Sequence, residues 1–110
     1  MVKKTVIKAI EFLEYCLEER KELKISKIIL FGSQSRGKVT EESDIDIVII
    51  SHDFKGKDIF ERAKLTKEAE IRTIKKFMIP LDIITMTPEE FECETSLISN
   101  YARNGEVIYG

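Results

Sequence analysis

The chain has 110 residues, 43% hydrophobic and 35% charged, with 5 Gly and 2 Pro, which is room for one domain around one core and none for a second. A formal net charge of -2 supplies no global field to attract a polyanion, so a nucleic-acid backbone is disfavoured as the main partner while a nucleotide held at a local site stays open. No stretch approaches membrane-spanning length, and the N-terminus runs into a pattern interrupted by Glu11 and Glu14 rather than into a signal peptide.

Val6, Ile10, Leu13 and Leu17 follow a 4-3-4 spacing that puts one apolar stripe on a first helix, with Lys8, Glu11, Glu18 and Glu19 on other faces. Residues 25–31 form an aliphatic run that ends at Gly32, a first strand turning into a short helix; the turn carries Ser33 and Arg36. Residues 37–42 are polar and loop-like. From Ile45 to Ile50 every residue except Asp46 is apolar and β-branched, the pattern of a strand buried on both faces. Period-two alternation then sets Asp44 and Asp46 on one face, which Val48 and Ile50 continue into the core.

Residues 57–77 predict a charge-rich helix whose apolar stripe runs through Phe60, Ala63, Ile71, Ile74 and Met78, broken by Lys67. Pro80 opens a third strand over 81–85, with Asp82 at its start. Thr87-Pro88-Glu89-Glu90 is a capping box with Pro at the first helical position, predicting a helix that runs to about Asn104-Gly105. Val107, Ile108 and Tyr109 form a short final strand. The order helix, strand, turn-helix, strand, helix, strand, helix, strand gives an α/β or α+β fold, a small mixed β-sheet flanked by helices in a single domain over 1–110.

Cys16 and Cys93 are far apart and have no second Cys or His at metal-ligand spacing; both read as small buried or half-buried apolar groups, which points to a reducing, cytoplasmic setting. His52, the sole histidine, directly follows the second strand and reads as a surface residue; Phe31 and Phe54 read as core.

Three aspartates interrupt aliphatic strands, where an unpaired charge is expensive unless a cation or hydrogen bonds compensate it. Asp44 and Asp46 on one strand face, joined by Asp82 from another strand, can bridge a pair of Mg²⁺ ions of the kind that organise phosphoryl and nucleotidyl transfer. Gly32 and Ser33 open a helix after a strand, so backbone N–H groups and the Ser33 hydroxyl can hold outer phosphates, with Arg36 nearby to neutralise charge. Each feature alone has a plainer reading: a common turn, a pair of solvated acids, a turn cap after Pro80, a surface ion pair. Their combination carries the argument.

Gly32-Ser33, ten residues containing Arg36-Gly37, and then Ser43-Asp44-Ile45-Asp46-Ile47 resemble the signature of the DNA polymerase beta nucleotidyltransferase superfamily, in its smallest branch, the minimal nucleotidyltransferases. The detailed resemblance covers 28–50 and 81–84. It implies that Asp44 and Asp46 bind both Mg²⁺ ions, that Asp82 completes the catalytic metal site beside the attacking hydroxyl, and that Gly32 and Ser33 anchor the triphosphate of ATP. Minimal nucleotidyltransferases resemble antitoxins paired with a small all-helical HEPN protein, usually a ribonuclease toxin. The resemblance therefore implies transfer of AMP to a tyrosine on such a partner, in a hetero-oligomer, with a homodimer also possible.

A binding module that neutralises its partner by masking it is the competing reading. Nucleotide transfer to a small molecule ranks below both, because the chain lacks the length for a second domain closing over the acceptor. Nucleic-acid polymerisation ranks last, since nothing basic is available to grip a strand.

Overall fold

The computed structural model describes residues 4–21, 23–31, 45–93 and 105–109. Among these, helix α1 (Lys4–Lys21) precedes strand β1 (Lys27–Phe31) and strand β2 (Ile45–Ile50). A 3₁₀ turn (His52–Phe54) leads to helix α2 (Ile59–Phe77), strand β3 (Leu81–Met86), the short helix α3 (Pro88–Glu92) and strand β4 (Glu106–Tyr109). The strands form one mixed sheet in the order β3-β2-β1-β4, with β1 antiparallel to both neighbours and β2 parallel to β3. The α2 crossover is what allows the parallel pair.

The expected stripe of α1 is the buried one: Val6, Ile10, Leu13 and Leu17 are all at or below 2% exposure. They pack with Ile28, Leu30, Ile45, Ile47 and Ile49 on one sheet face, forming the main core. The opposite face carries a smaller cluster of Ile29, Val48, Ile50 and Met86, with Phe31, Ile84 and Phe91 against it. Strand β2 is therefore apolar on both sides, and Asp46 is its single residue that is not buried.

Helix α2 corrects the sequence reading. Its buried residues are Thr66, Ala69 and Thr73, flanked by Leu65, Ile74 and Phe77 against the main core. Phe60, Ile71 and Met78 lie instead on the outer face, 76%, 42% and 80% exposed. The buried threonines escape an apolarity count because their hydroxyls are satisfied within the helix: Thr73 Oγ1 donates to the Ala69 carbonyl at 2.7 Å, and Thr66 Oγ1 to the Ala63 carbonyl at 3.3 Å. An Asp58–Glu61 capping box starts the helix, and Met78 ends it in the left-handed conformation, φ 57°, with its N–H on the Ile74 carbonyl.

The capping box at Thr87 forms as read, with Pro88 at the first helical position. Helix α3 nevertheless stops at Glu92, where Cys93 turns extended; the rest of the expected helix, 94–104, falls outside the described residues. Cys93 is exposed rather than half-buried, and Cys16 is buried. Phe54 is fully buried, Phe31 half-buried, and His52 exposed.

Candidate active site

Of the six residues singled out, Asp46 and Asp82 lie within the described structure; Gly32, Ser33, Arg36 and Asp44 lie outside it. Parallel pairing of β2 with β3 sets Ile45 opposite Leu81 and Asp46 opposite Asp82. Residues directly opposite on neighbouring strands share a sheet face, with backbones about 4.8 Å apart. The two carboxylates thus come from adjacent positions on one face, the face that continues through Val48 and Ile50 on β2 and Ile84 and Met86 on β3. Phe31 of β1 stands opposite Asp46 on its other side. The row across the three strands reads Phe31, Asp46, Asp82.

The position of this row follows from local sequence. Pro80 cannot donate a ladder bond but accepts one: its carbonyl receives the Ile45 N–H at 2.9 Å, and at the far end the Met86 carbonyl receives the Ser51 N–H at 3.0 Å. These two bonds lock the register, so that Asp82, two residues into β3, must meet Asp46, two residues into β2. Asp46 is half-buried and Asp82 exposed, so the pair sits at the mouth of the sheet with solvent access.

A further acid on α2 feels the charge of Asp82. Glu70 is half-buried, and its carboxyl is held above the ordinary value, first by desolvation and then by the negative charge of Asp82. Sequence reasoning missed it because a glutamate in a charge-rich helix carries no mark of its tertiary neighbour. No group of three or more acids, histidines or cysteines among the described residues forms a ready metal cage. The donor chemistry at the row is all carboxylate oxygen, the type that Mg²⁺ prefers when substrate phosphates and waters complete its shell.

A groove of about 500 Å³ lies between α2 and β3, lined by Ile59, Ala63, Lys67, Glu70, Ile83 and Thr85 among others. β3 is an edge strand. Since Pro80 and Met86 turn their carbonyls toward β2, alternation turns the peptide groups of Leu81, Ile83 and Thr85 toward this groove. Arg62 closes one end: it forks onto Glu90 at 2.8 and 3.2 Å, bonds the Lys57 carbonyl through Nε at 2.9 Å and reaches the Thr85 carbonyl at 3.5 Å.

The profile of the nucleotidyltransferase domain family matches residues 10–108. The chain belongs to that family. A relative in Methanocaldococcus jannaschii, named "Putative protein adenylyltransferase MJ1305", is 30% identical over 101 residues, 90% of this chain and 67% of the relative. A second from the same organism, "Putative protein adenylyltransferase MJ0604", is 54% identical over 43 residues, a match that spans 39% of this chain and 43% of that protein. Among solved structures, a "putative nucleotidyltransferase" from Sulfolobus solfataricus aligns with a TM-score of 0.51 at 20% identity, covering 96% of this chain and 86% of the other. A toxin-antitoxin complex with AMP-PNP aligns at 0.60 and 22% identity, over 89% of this chain and 71% of that one. A mutant of the toxin-antitoxin MntA-HpeT aligns at 0.60 and 20% identity, over 96% and 72%. These structures establish the nucleotidyltransferase fold, a mixed four-stranded sheet with helices.

Among the described residues no helix is long and apolar enough to cross a membrane.

Proposed function

We propose that the chain is a Mg²⁺-dependent adenylyltransferase that moves AMP from ATP onto a hydroxyl, a tyrosine in our reading, of a helical HEPN-type toxin in the cytoplasm and so acts as its antitoxin. The observation that carries the reading is the register of β2 against β3, which brings Asp46 and Asp82 side by side from positions 36 residues apart in the sequence. A nucleotidyltransferase needs such carboxylates from two strands, and neither is explained by packing. The naming of two M. jannaschii relatives as protein adenylyltransferases supports a protein acceptor, and the toxin-antitoxin complexes among the structural neighbours support a toxin as that protein.

In this reading Asp44 and Asp46 hold two Mg²⁺ ions and Asp82 completes the site on the acceptor side. Magnesium bound there supplies positive charge against that building on the triphosphate. Gly32 and Ser33 hold the outer phosphates of ATP through backbone N–H groups and the Ser33 hydroxyl, and Arg36 adds charge to that grip. Asp82 orients the acceptor hydroxyl and takes its proton. The acceptor oxygen bonds to the α-phosphorus as the bond from that phosphorus to the β-phosphate's bridging oxygen breaks, and diphosphate leaves.

Incubating the chain with its genomic neighbour, α-labelled ATP and Mg²⁺ tests this. Label is expected on the neighbour, lost with Asp46→Asn or Asp82→Asn. Neutralisation that persists in Asp46→Asn, with no label transferred by the wild type, would make the chain a masking partner instead.

A further inference from the structure

Helices α1 and α2 lie side by side over one sheet face, joined by the Phe12 and Phe77 rings, whose centroids are 6.0 Å apart, and by Lys76, 4.6 Å above the Phe12 ring. Their inner faces fill the main core. Their outer faces together form an unusual surface. On α2, Phe60, Lys64, Lys67, Ile71, Lys75 and Met78 recur at intervals of 4, 3, 4, 4 and 3, one stripe directly opposite the buried residues. Three of the six are large apolar groups in solvent. Around Ile71 stand Lys64, Lys67, Arg72 and Lys75 with one acid, Glu68, which faces Arg72 at 3.6 Å.

From Glu11 onward the outer face of α1 has the opposite sign, after the exposed Lys4 and Lys8: Glu11, Glu14, Glu18 and Glu19 surround Tyr15, which is 60% exposed. The repulsion is felt within the chain: Glu14 is pushed up to about 7, first by desolvation, then by its hydrogen bond to Glu18 and by the charges of Glu18, Glu11 and Glu19. A self-repelling acidic face with an aromatic at its centre thus lies next to a cationic face with aliphatic and aromatic groups along it.

We propose that this layer is the interface of a homodimer, in which α1 of each copy lies on α2 of the other. A two-fold axis running between the two helices, along their length, produces this contact twice, as isologous association requires. Phe12 stands level with Phe77, and rotation about this axis keeps that level, so Tyr15 meets the C-terminal part of the stripe at Ile71 and Met78, which provides apolar burial. The glutamates meet the lysines, which sets partner and orientation more than strength. The same charge pattern argues against the other obvious use of a basic amphipathic helix, an anionic lipid surface, because the acidic half of α1 in the same layer would be repelled. The Asp46–Asp82 row belongs to the opposite sheet face, so the dimer leaves it open. The inference is independent of the catalytic reading.

Light scattering coupled to size exclusion, with sedimentation velocity across a concentration series, tests it on the full chain. The wild type should run at about twice 12.7 kDa and shift toward monomer as salt rises. Lys67→Glu with Lys75→Glu should weaken the dimer more than about tenfold, as should Glu11→Lys with Glu18→Lys, because each sets like charges across the interface. Mixing the two reversed chains should restore a dimer, since the reversed α1 of one then meets the reversed α2 of the other. Circular dichroism keeps misfolding distinct from dissociation, and the mixture reports on the interface even if one reversed chain is less stable. A wild type that is monomeric at every concentration, reversals without effect, or a mixture that stays monomeric would overturn the proposal. So would a monomeric chain whose α2 reversal abolishes capture of the neighbouring toxin, which would assign the face to that partner.

Discussion

Arg62 ties three elements together, and its replacement by Met has a cost that can be worked from the contacts. Its side chain is 13% exposed against 46% for Glu90, so methionine keeps most of the buried stem and removes only the guanidinium. The fork onto Glu90 is charge-assisted, but Glu90 is half in water and keeps its bond from the Thr87 N–H at 2.8 Å, so its loss should cost about 1 kcal/mol, below the usual range for charged hydrogen bonds. The Lys57 carbonyl loses its Nε partner, about 1 kcal/mol more, and the 3.5 Å contact to Thr85 adds little. A total near 2 kcal/mol corresponds to a fall of roughly 8 °C in melting temperature for a domain of this size. Arg62→Lys should not rescue it, because an ammonium cannot fork.

The same residue has a pH signature. The Arg62 hydrogen bond, ahead of other causes, holds the Glu90 carboxyl below the ordinary carboxylate value. A group with its folded pKa depressed stabilises above the unfolded pKa and loses that stabilisation as pH falls through the folded value. The gap between wild type and Arg62→Met, followed by thermal or urea unfolding, should therefore be full near neutrality and narrow in acid. A loss below about 0.5 kcal/mol at neutral pH, the range of ordinary surface changes, would refute the assignment of Arg62 as a structural tie.

Glu14 behaves in the opposite sense: with its folded pKa raised to about 7 from 4.5, its ionisation destabilises the fold as pH rises through that window. In the monomer, where no lysine of a second copy faces it, Glu14→Gln should leave stability unchanged near pH 4, gain on the wild type between 4.5 and 7, and hold the gain above, as read by urea unfolding of dilute protein at a series of pH values. Gly105 precedes β4 at a point where a Cβ would overlap the Leu30 carbonyl and press on Ile29 Cγ2 at 2.9 Å. Backbone cannot yield as a side-chain tip does, so Gly105→Ala should cost about 2 kcal/mol or more and speed amide exchange in β1 and β4 first.

What the sequence made legible and what it hid divide along physical lines. Strand β2 and the stripe of α1 could be read because their periodicity is carried by residues with one preference, aliphatic and buried. The Thr87 box was legible because capping is local chemistry. Helix α2 misled because the centre of its inward face is Thr66, Ala69 and Thr73, with the threonine hydroxyls satisfied inside the helix, while Phe60, Ile71 and Met78 were left outside; of the expected stripe, Ile74 packs on the core. The alignment of Asp46 with Asp82 needed strand register, which two hydrogen bonds at the ends of the β2–β3 ladder impose. Glu70 needed the helix to be docked before its neighbour existed.

Isothermal titration of the chain with a non-hydrolysable ATP analogue, with and without Mg²⁺ and in the presence and absence of the neighbouring protein, bears most directly on the paired acids. The account predicts uptake that requires Mg²⁺ and that Asp46→Asn weakens by at least about tenfold, the loss of one charged ligand contact. Binding of equal strength without the metal, or left intact in Asp46→Asn and in Asp82→Asn, would contradict it.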